Sequence, residues 1–370
     1  MPDPEDLLLV KTNEIMKTFF IGMSLIACLY SAQNPNTKQS ISISSEADPD
    51  DSIAYGPQAP CYYNNAVSEY VRRIFQDSRG FLWFGTNSDG LALFDGYKLS
   101  YLNTDEGLIG SQITGIIEDK KGKVWFSTNN GVSRFDLSAG SGKEFQNFGE
   151  QEGLNNKSTW CIFQDHKGTI WVGTFQGLCR FNGKNFESFP LPNAEKSWIR
   201  SITEDRKGNL WIATADKGAF KFDGTNFNQL SEKDGLCSND LTCIMEDTQE
   251  NIWFGSMDGG VSKYTPSEKG KKAFKNFNSE NGIGGNEVWT IYEDQKGTIW
   301  FSCEGFGAYI YQNEKIYNFN EKQGLHMRAV QTFFQDRFGM FWIGGGGGLM
   351  RFTGDAFQVI TKNGPWDDGC

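Results

Sequence analysis

The chain has 370 residues, with 46 acidic against 35 basic side chains and a formal net charge of −11. That balance argues against nucleic acid as the partner, since binding there needs a basic face. An aromatic content of 14% with 43 glycines suits a strand-and-turn fold that packs flat faces together.

Residues 1–15 are acidic and do not suit the start of an export signal. From Met16 the sequence reads MKTFFIGMSLIACLY, so translation is expected to start there. Lys17 supplies a positive charge, and Phe19 to Ala27 form an apolar run too short to span a bilayer as a permanent anchor. Leu25-Ile26-Ala27-Cys28 resembles the bacterial lipobox, which implies a lipidated Cys28 as mature N-terminus and a protein tied to the membrane, facing periplasm or cell surface. The alternative is an ordinary signal peptide cut near Ala32, for which Tyr30 is a poor fit. The organisation expected is a leader and lipoprotein-type signal peptide over 1–28, a flexible tether over 29–61 and one repeat domain over 62–370. The tether is rich in Ser, Asn, Gln, Pro and Asp and cannot bury a core.

The repeat is a phrase such as DHKGTIWVGT at Asp165–Thr174. Its copies start at Asp77, Asp119, Asp165, Asp205, Asp247, Asp294 and Asp336, and their tryptophans lie 40 to 47 residues apart. In the third unit, apolar runs at Trp160–Gln164, Ile170–Gly173, Gly177–Phe181 and Phe186–Phe189 are separated by turn residues, with Asn182-Gly183 as a type I′ hairpin signal. Four strands at this period predict an all-β, seven-bladed β-propeller with four antiparallel strands per blade. The Asp is expected to cap its turn through backbone N–H groups two residues on. The Gly three positions after it supplies a positive φ, and the Trp fills the seam between blades. Glu250 replaces that Gly in the fifth copy, so its turn is expected to relax into another type. Seven identical Asp turns are scaffold, so no metal and no cofactor is expected.

Of the eight cysteines, Cys161 and Cys243 take one place in the first strand of blades three and five and read as small core residues. Cys61 and Cys370 flank the ring, and an exported protein permits a disulfide between them.

The units share V-x-x-I-x-E-D-x-x-G-x-[IL]-W-[FI]-G-T-x-x-G-L-x-R-F-D-G. Ile116-Ile117-Glu118-Asp119, Gly153-Leu154 and Gly177-Leu178 carry it. The pattern resembles the two-component regulator propeller repeat over all seven units. The resemblance implies an extracytoplasmic sensor module that binds a ligand such as a glycan.

Ligands of propellers are expected at the central funnel, where the innermost strands start. Three residues before each Asp stand Ile74, Ile116, Ile162, Ile202, Ile244, Ile291 and Phe333, uniform and core-like. Five before it stand Arg72, Thr114, Trp160, Arg200, Thr242, Trp289 and Gln331, a varied set. A scaffold position repeats its chemistry, whereas a position facing one asymmetric ligand does not; an unconstrained solvent position is the alternative. Arg72, Arg200 and Arg328 offer donors for an anionic group, Trp160 and Trp289 faces for sugar rings, and Gln331 and His326 polar contacts. The Gly344–Gly348 run is expected to leave the blade-seven side of the funnel low and open.

The expected function is recognition of an oligosaccharide or other small ligand, anionic or neutral. A propeller that docks another envelope protein is the first alternative. A streptogramin-lyase-like enzyme is the second, and it needs a general base, usually His. His166 falls in a turn on the opposite face and His326 in a loop on the ligand side. No catalytic residue is assigned.

Overall fold

The computed structural model describes residues 65–137, 145–327 and 329–366. The leader, Cys28, the tether, Cys61, Arg328 and Cys370 lie outside the described residues. Strands β1 to β28 form seven four-stranded antiparallel sheets, each built from four consecutive strands in sequential order. The innermost strands are β1 (Val71–Gln76), β5 (Ile113–Glu118), β9 (Thr159–Gln164), β13 (Ile199–Glu204), β17 (Leu241–Glu246), β21 (Ile291–Glu293) and β25 (Val330–Gln335). The seven-bladed propeller expected from the repeat is the fold observed.

Each Asp of the phrase satisfies two sets of donors. Its Oδ1 accepts the backbone N–H four residues on in every copy, from Phe81 in the first to Met340 in the last. Its Oδ2 accepts the indole Nε1–H of its own tryptophan at 2.8–3.1 Å, all seven times. A buried indole N–H without a partner would be costly. The carboxylate therefore lets the whole ring go inside, and all seven tryptophans are buried. Burying 150–250 Å² of ring corresponds to roughly 4–6 kcal/mol of gross transfer energy.

Each ring packs into the following blade. Trp83 lies among Ile113, Val124 and Phe126 of blade two, and Trp253 against Phe301 and Tyr311 of blade six. Trp342 packs on Val71 and Phe84 of blade one, which closes the circle. A second link repeats seven times. The residue after the Asp donates its N–H to the Glu or Gln that precedes the Asp of the next blade, at 2.6–3.0 Å. The last of these runs from Arg337 back to Gln76.

Two turns differ from expectation. The 182–185 hairpin is a four-residue loop in which only Gly183 is left-handed, at φ 99°. The Asn182 side chain accepts the N–H groups of Lys184 and Asn185 and makes the turn itself. The fifth Asp turn does not relax. Glu250 holds φ 64°, beside 73–100° for its six glycine counterparts, and keeps the same N–H bond to Asp247 O at 3.1 Å. Asn251 adds two side-chain bonds to the Asp247 carboxylate, so the turn is over-determined and imposes its geometry on a residue ill suited to it. Glu250→Gly is therefore expected to raise Tm by about 1–3 °C, because relief of this backbone strain outweighs the extra freedom of glycine in the unfolded chain. A lower Tm in thermal melts would show that the Lys207–Glu250 ion pair at 2.8 Å matters more than the strain.

Candidate functional site at the central funnel

The innermost strands share one irregularity. In six blades the pairing with the second strand skips a residue, between Val71 and Arg73 in blade one and at the same place in blades two, three, four, five and seven. The skipped residues are Arg72, Thr114, Trp160, Arg200, Thr242 and Gln331. A bulge frees its residue from the ladder and re-aims the side chain. In blade six the strand begins at Ile291 and Trp289 stands just before it. The varied column is thus a column of bulge residues.

Two further columns join it. Seven residues before each Asp stand Tyr70, Gln112, Ser158, Trp198, Asp240, Glu287 and Ala329. Their carbonyls accept the N–H groups of Asn87, Asn129, Phe175, Ala215, Met257, Glu304 and Gly346 at 2.8–3.1 Å. This bond recurs in every blade while the side chains that it carries do not. The sequence pattern singled out the second column only at the blade-seven glycine run, and it passed over the first, although the same alignment displays its variety.

The large side chains of these columns meet. Trp160 and Trp289, from blades three and six, have ring centroids 6.4 Å apart. Trp198 meets Trp160 edge-on at 4.8 Å, and Phe175 stacks on Trp198 at 4.1 Å. The Arg72 guanidinium lies 5.4 Å from the Tyr70 ring and 5.5 Å from the Trp160 ring.

Several expectations need correction. Trp160 and Trp289, expected to offer separate faces to sugar rings, instead form a direct aromatic pair at 6.4 Å. Arg200 offers no free fork. It is 8% exposed, its Nη1 donates to Asp240 Oδ1 at 2.6 Å, and its guanidinium lies 4.1 Å over Trp198. Thr114, Thr242 and Gln331 are buried, and the two threonine hydroxyls bond to Thr159 O and Val288 O of the next blade, stitching the ring rather than lining the funnel. The glycine run is not an open floor. A Cβ on Gly345 would meet Ala329 O at 2.0 Å, and the Tyr70 ring covers Gly346. His326 is exposed and donates its backbone N–H to Gly324 O. His166 lies in its turn with Nδ1 2.6 Å from Glu204 Oε1. Among the described residues no group of three or more His, Cys, Asp or Glu side chains is placed to hold a metal.

The electrostatics also depart from the expected cationic surplus. Asp240, Glu287 and Glu304 share the site with Arg72 and Arg200. Glu287 Oε1 accepts the Trp289 indole N–H at 2.9 Å. Glu304 Oε2 is buried with no partner, and burial, then the Glu287 charge, push its carboxyl up to about 7. Trp198 Nε1 and Arg200 Nε are likewise buried and unpaired. Next to the funnel column stand Arg73, Gly115, Cys161, Ser201, Cys243, Thr290 and Thr332, small side chains except one. Arg73 reaches among them, bonds Thr114 O at 2.7 Å and senses Cys161 and Cys243; burial lowers its pKa to about 10. Both cysteines are free thiols, raised by burial to about 12 and about 11.

The two component regulator propeller family model matches residues 66–88, 107–130, 153–176, 195–216, 235–258 and 282–305. The chain carries two-component regulator propeller repeats. Each matched segment spans the two innermost strands of a blade, and blade seven shows the same Asp–Trp bond without a match. No curated protein matches the chain. Among solved structures it is similar to the extracellular domain of the hybrid two component system BT3049 from B. thetaiotaomicron, with TM-score 0.62, 21% identity, 80% of this chain and 47% of that one covered. It is also similar to a catalytically inactive virginiamycin B lyase from Staphylococcus aureus with quinupristin (TM-score 0.62, 15% identity, 77% and 96% covered). A third is PorZ, a surface component of the type-IX secretion system of Porphyromonas gingivalis (TM-score 0.61, 16% identity, 80% and 48% covered). The chain thus spans about half the length of the first and third, and at these identities the likeness is one of fold.

Glu304 gives a pH dependence. Its folded value of about 7 exceeds the ordinary 4.5, so the folded protein holds an extra proton between them and loses stability as pH rises through that window. Glu304→Gln is expected to raise Tm at about pH 8 and leave it unchanged at about pH 4. Equal melting of both proteins at pH 8 would show that the Glu304 charge is compensated.

Proposed function

We propose that the protein is an extracytoplasmic recognition propeller that binds an oligosaccharide over the central funnel. The observation that carries this reading is the aromatic cluster of Tyr70, Trp160, Trp198, Trp289 and Phe175, gathered from blades one, three, four and six. Flat apolar faces take the C–H faces of sugar rings. Polar side chains beside them, Arg72, Asp240 and Glu287, are partly exposed and take hydroxyl groups. Phe175 remains 40% exposed although stacked on Trp198, which leaves an aromatic face toward solvent. The export signal that starts at Met16 and the extracellular origin of the BT3049 domain support a place outside the cytoplasm, held there by a lipid on Cys28. A sensor role follows from the repeats.

One observation favours a second reading, docking of another envelope protein. Phe338 is 66% exposed in the Asp turn of blade seven, on the face opposite the funnel. Lyase chemistry finds no support, because neither His166 nor His326 stands among the funnel residues described above.

Titration calorimetry with a panel of neutral and charged oligosaccharides tests the reading on the wild type, Trp289→Ala and Arg72→Ala. Trp289 offers a stacking face, while Arg72 bridges Tyr70 and Trp160. Loss of one such contact is worth about 1–3 kcal/mol, so affinity is expected to fall about 5- to 150-fold with Tm preserved. If no oligosaccharide binds, or both variants bind as the wild type does, protein docking takes first place.

A further inference from the structure

The funnel holds a pair of carboxylates, Glu287 and Glu304, neither of which forms a salt bridge among the described residues. Glu304 Oε2 is buried and accepts no hydrogen bond, and Glu287, whose backbone carbonyl accepts the Glu304 N–H at 2.8 Å, opposes its ionisation. Glu287 itself is engaged by the Trp289 indole through one oxygen. Among the described residues Arg72 and Arg200 make their direct contacts with other groups, although the Glu287 charge also acts on Arg200. Arg72 lies between the Tyr70 and Trp160 rings with Nε on Asn87 Oδ1 at 2.7 Å, and Arg200 pairs with Asp240 at 2.6 Å. Beyond burial, both carboxylates also raise the Tyr70 hydroxyl, and Glu287 holds the Trp289 indole, so the pair shares the funnel with these aromatic side chains. A carboxylate taken out of water is costly unless a cation or donors reach it. An ammonium group supplies three donors and a charge, and aromatic faces attract it as well.

We propose that the funnel selects a ligand carrying a protonated amine, an amino sugar of an oligosaccharide, which places its ammonium group between Glu287 and Glu304 beside the Trp289 and Tyr70 rings. This rests on the oligosaccharide reading above and reverses the anionic preference expected from the arginines. An N-acetyl group on the nitrogen removes the charge and adds bulk at the carboxylates, so acetylation is expected to abolish the preference.

The test uses three tetrasaccharides with the same β-1,4 backbone: the glucosamine tetramer, its fully N-acetylated counterpart and cellotetraose. Calorimetry at about pH 6, where most of the amines are charged and the incoming ammonium must displace the Glu304 proton, is run on the wild type and Glu304→Gln, with a melt of each. The expected result is binding of the glucosamine tetramer at least about tenfold tighter than either control. That advantage should be lost in Glu304→Gln at unchanged or raised Tm. Equal or tighter binding of cellotetraose or the acetylated sugar overturns the amine preference and leaves the oligosaccharide reading standing. An advantage that survives in Glu304→Gln overturns the assignment to this carboxylate. Failure of all three sugars to bind overturns both readings.

Discussion

The hydrogen bond from an indole N–H to an aspartate carboxylate, made seven times, is the constraint on which the ring depends. Without it a tryptophan could not bury its whole side chain in the neighbouring blade, and the aspartate would not fix the turn that starts the second strand. The Glu or Gln before each Asp then takes an N–H from the preceding turn, so one short phrase sets the geometry within a blade and its spacing to the next. The bond from Arg337 to Gln76 and the packing of Trp342 on blade one complete the circle without exchanging a strand.

A repeated scaffold leaves function to the places where the repeat lapses. The bulge at the start of each innermost strand does this in a regular way, since the backbone irregularity recurs while the released side chain varies. The paired carbonyl and N–H beside it carry two more varied columns. Some of the variety remains structural: Thr114 and Thr242 stitch blades, and Gln331 is buried. The rest, from Tyr70 to Glu304, gathers at the funnel, where three buried polar atoms have no partner.

The fold was legible because its signals are local. The tryptophan period, the Asp turn and the uniform Ile column need only neighbours within one blade. The site was legible in part. The varied column named Arg72, Trp160 and Trp289, which the fold brings together, but the meeting of Trp160 with Trp289 depends on the width of the ring, which no local pattern encodes. The pairing of Arg200 with Asp240 crosses from one blade to the next, forty residues on. Glu304 stands alone after its strand, and only the buried Oε2 marks it out. Glu250 shows the converse, a residue whose local preference is overruled by the capping around it.

On this reading the varied, funnel-side ends of the innermost strands form the binding surface, while the Asp turns at the other end are scaffold. Hydrogen–deuterium exchange with and without a mixed polysaccharide digest tests this most directly. The account predicts added protection in peptides covering 68–73, 156–161, 196–201 and 285–290, with no change in the seven Asp turns. Protection confined to the Asp turns, around Phe338 and Arg337, would contradict it.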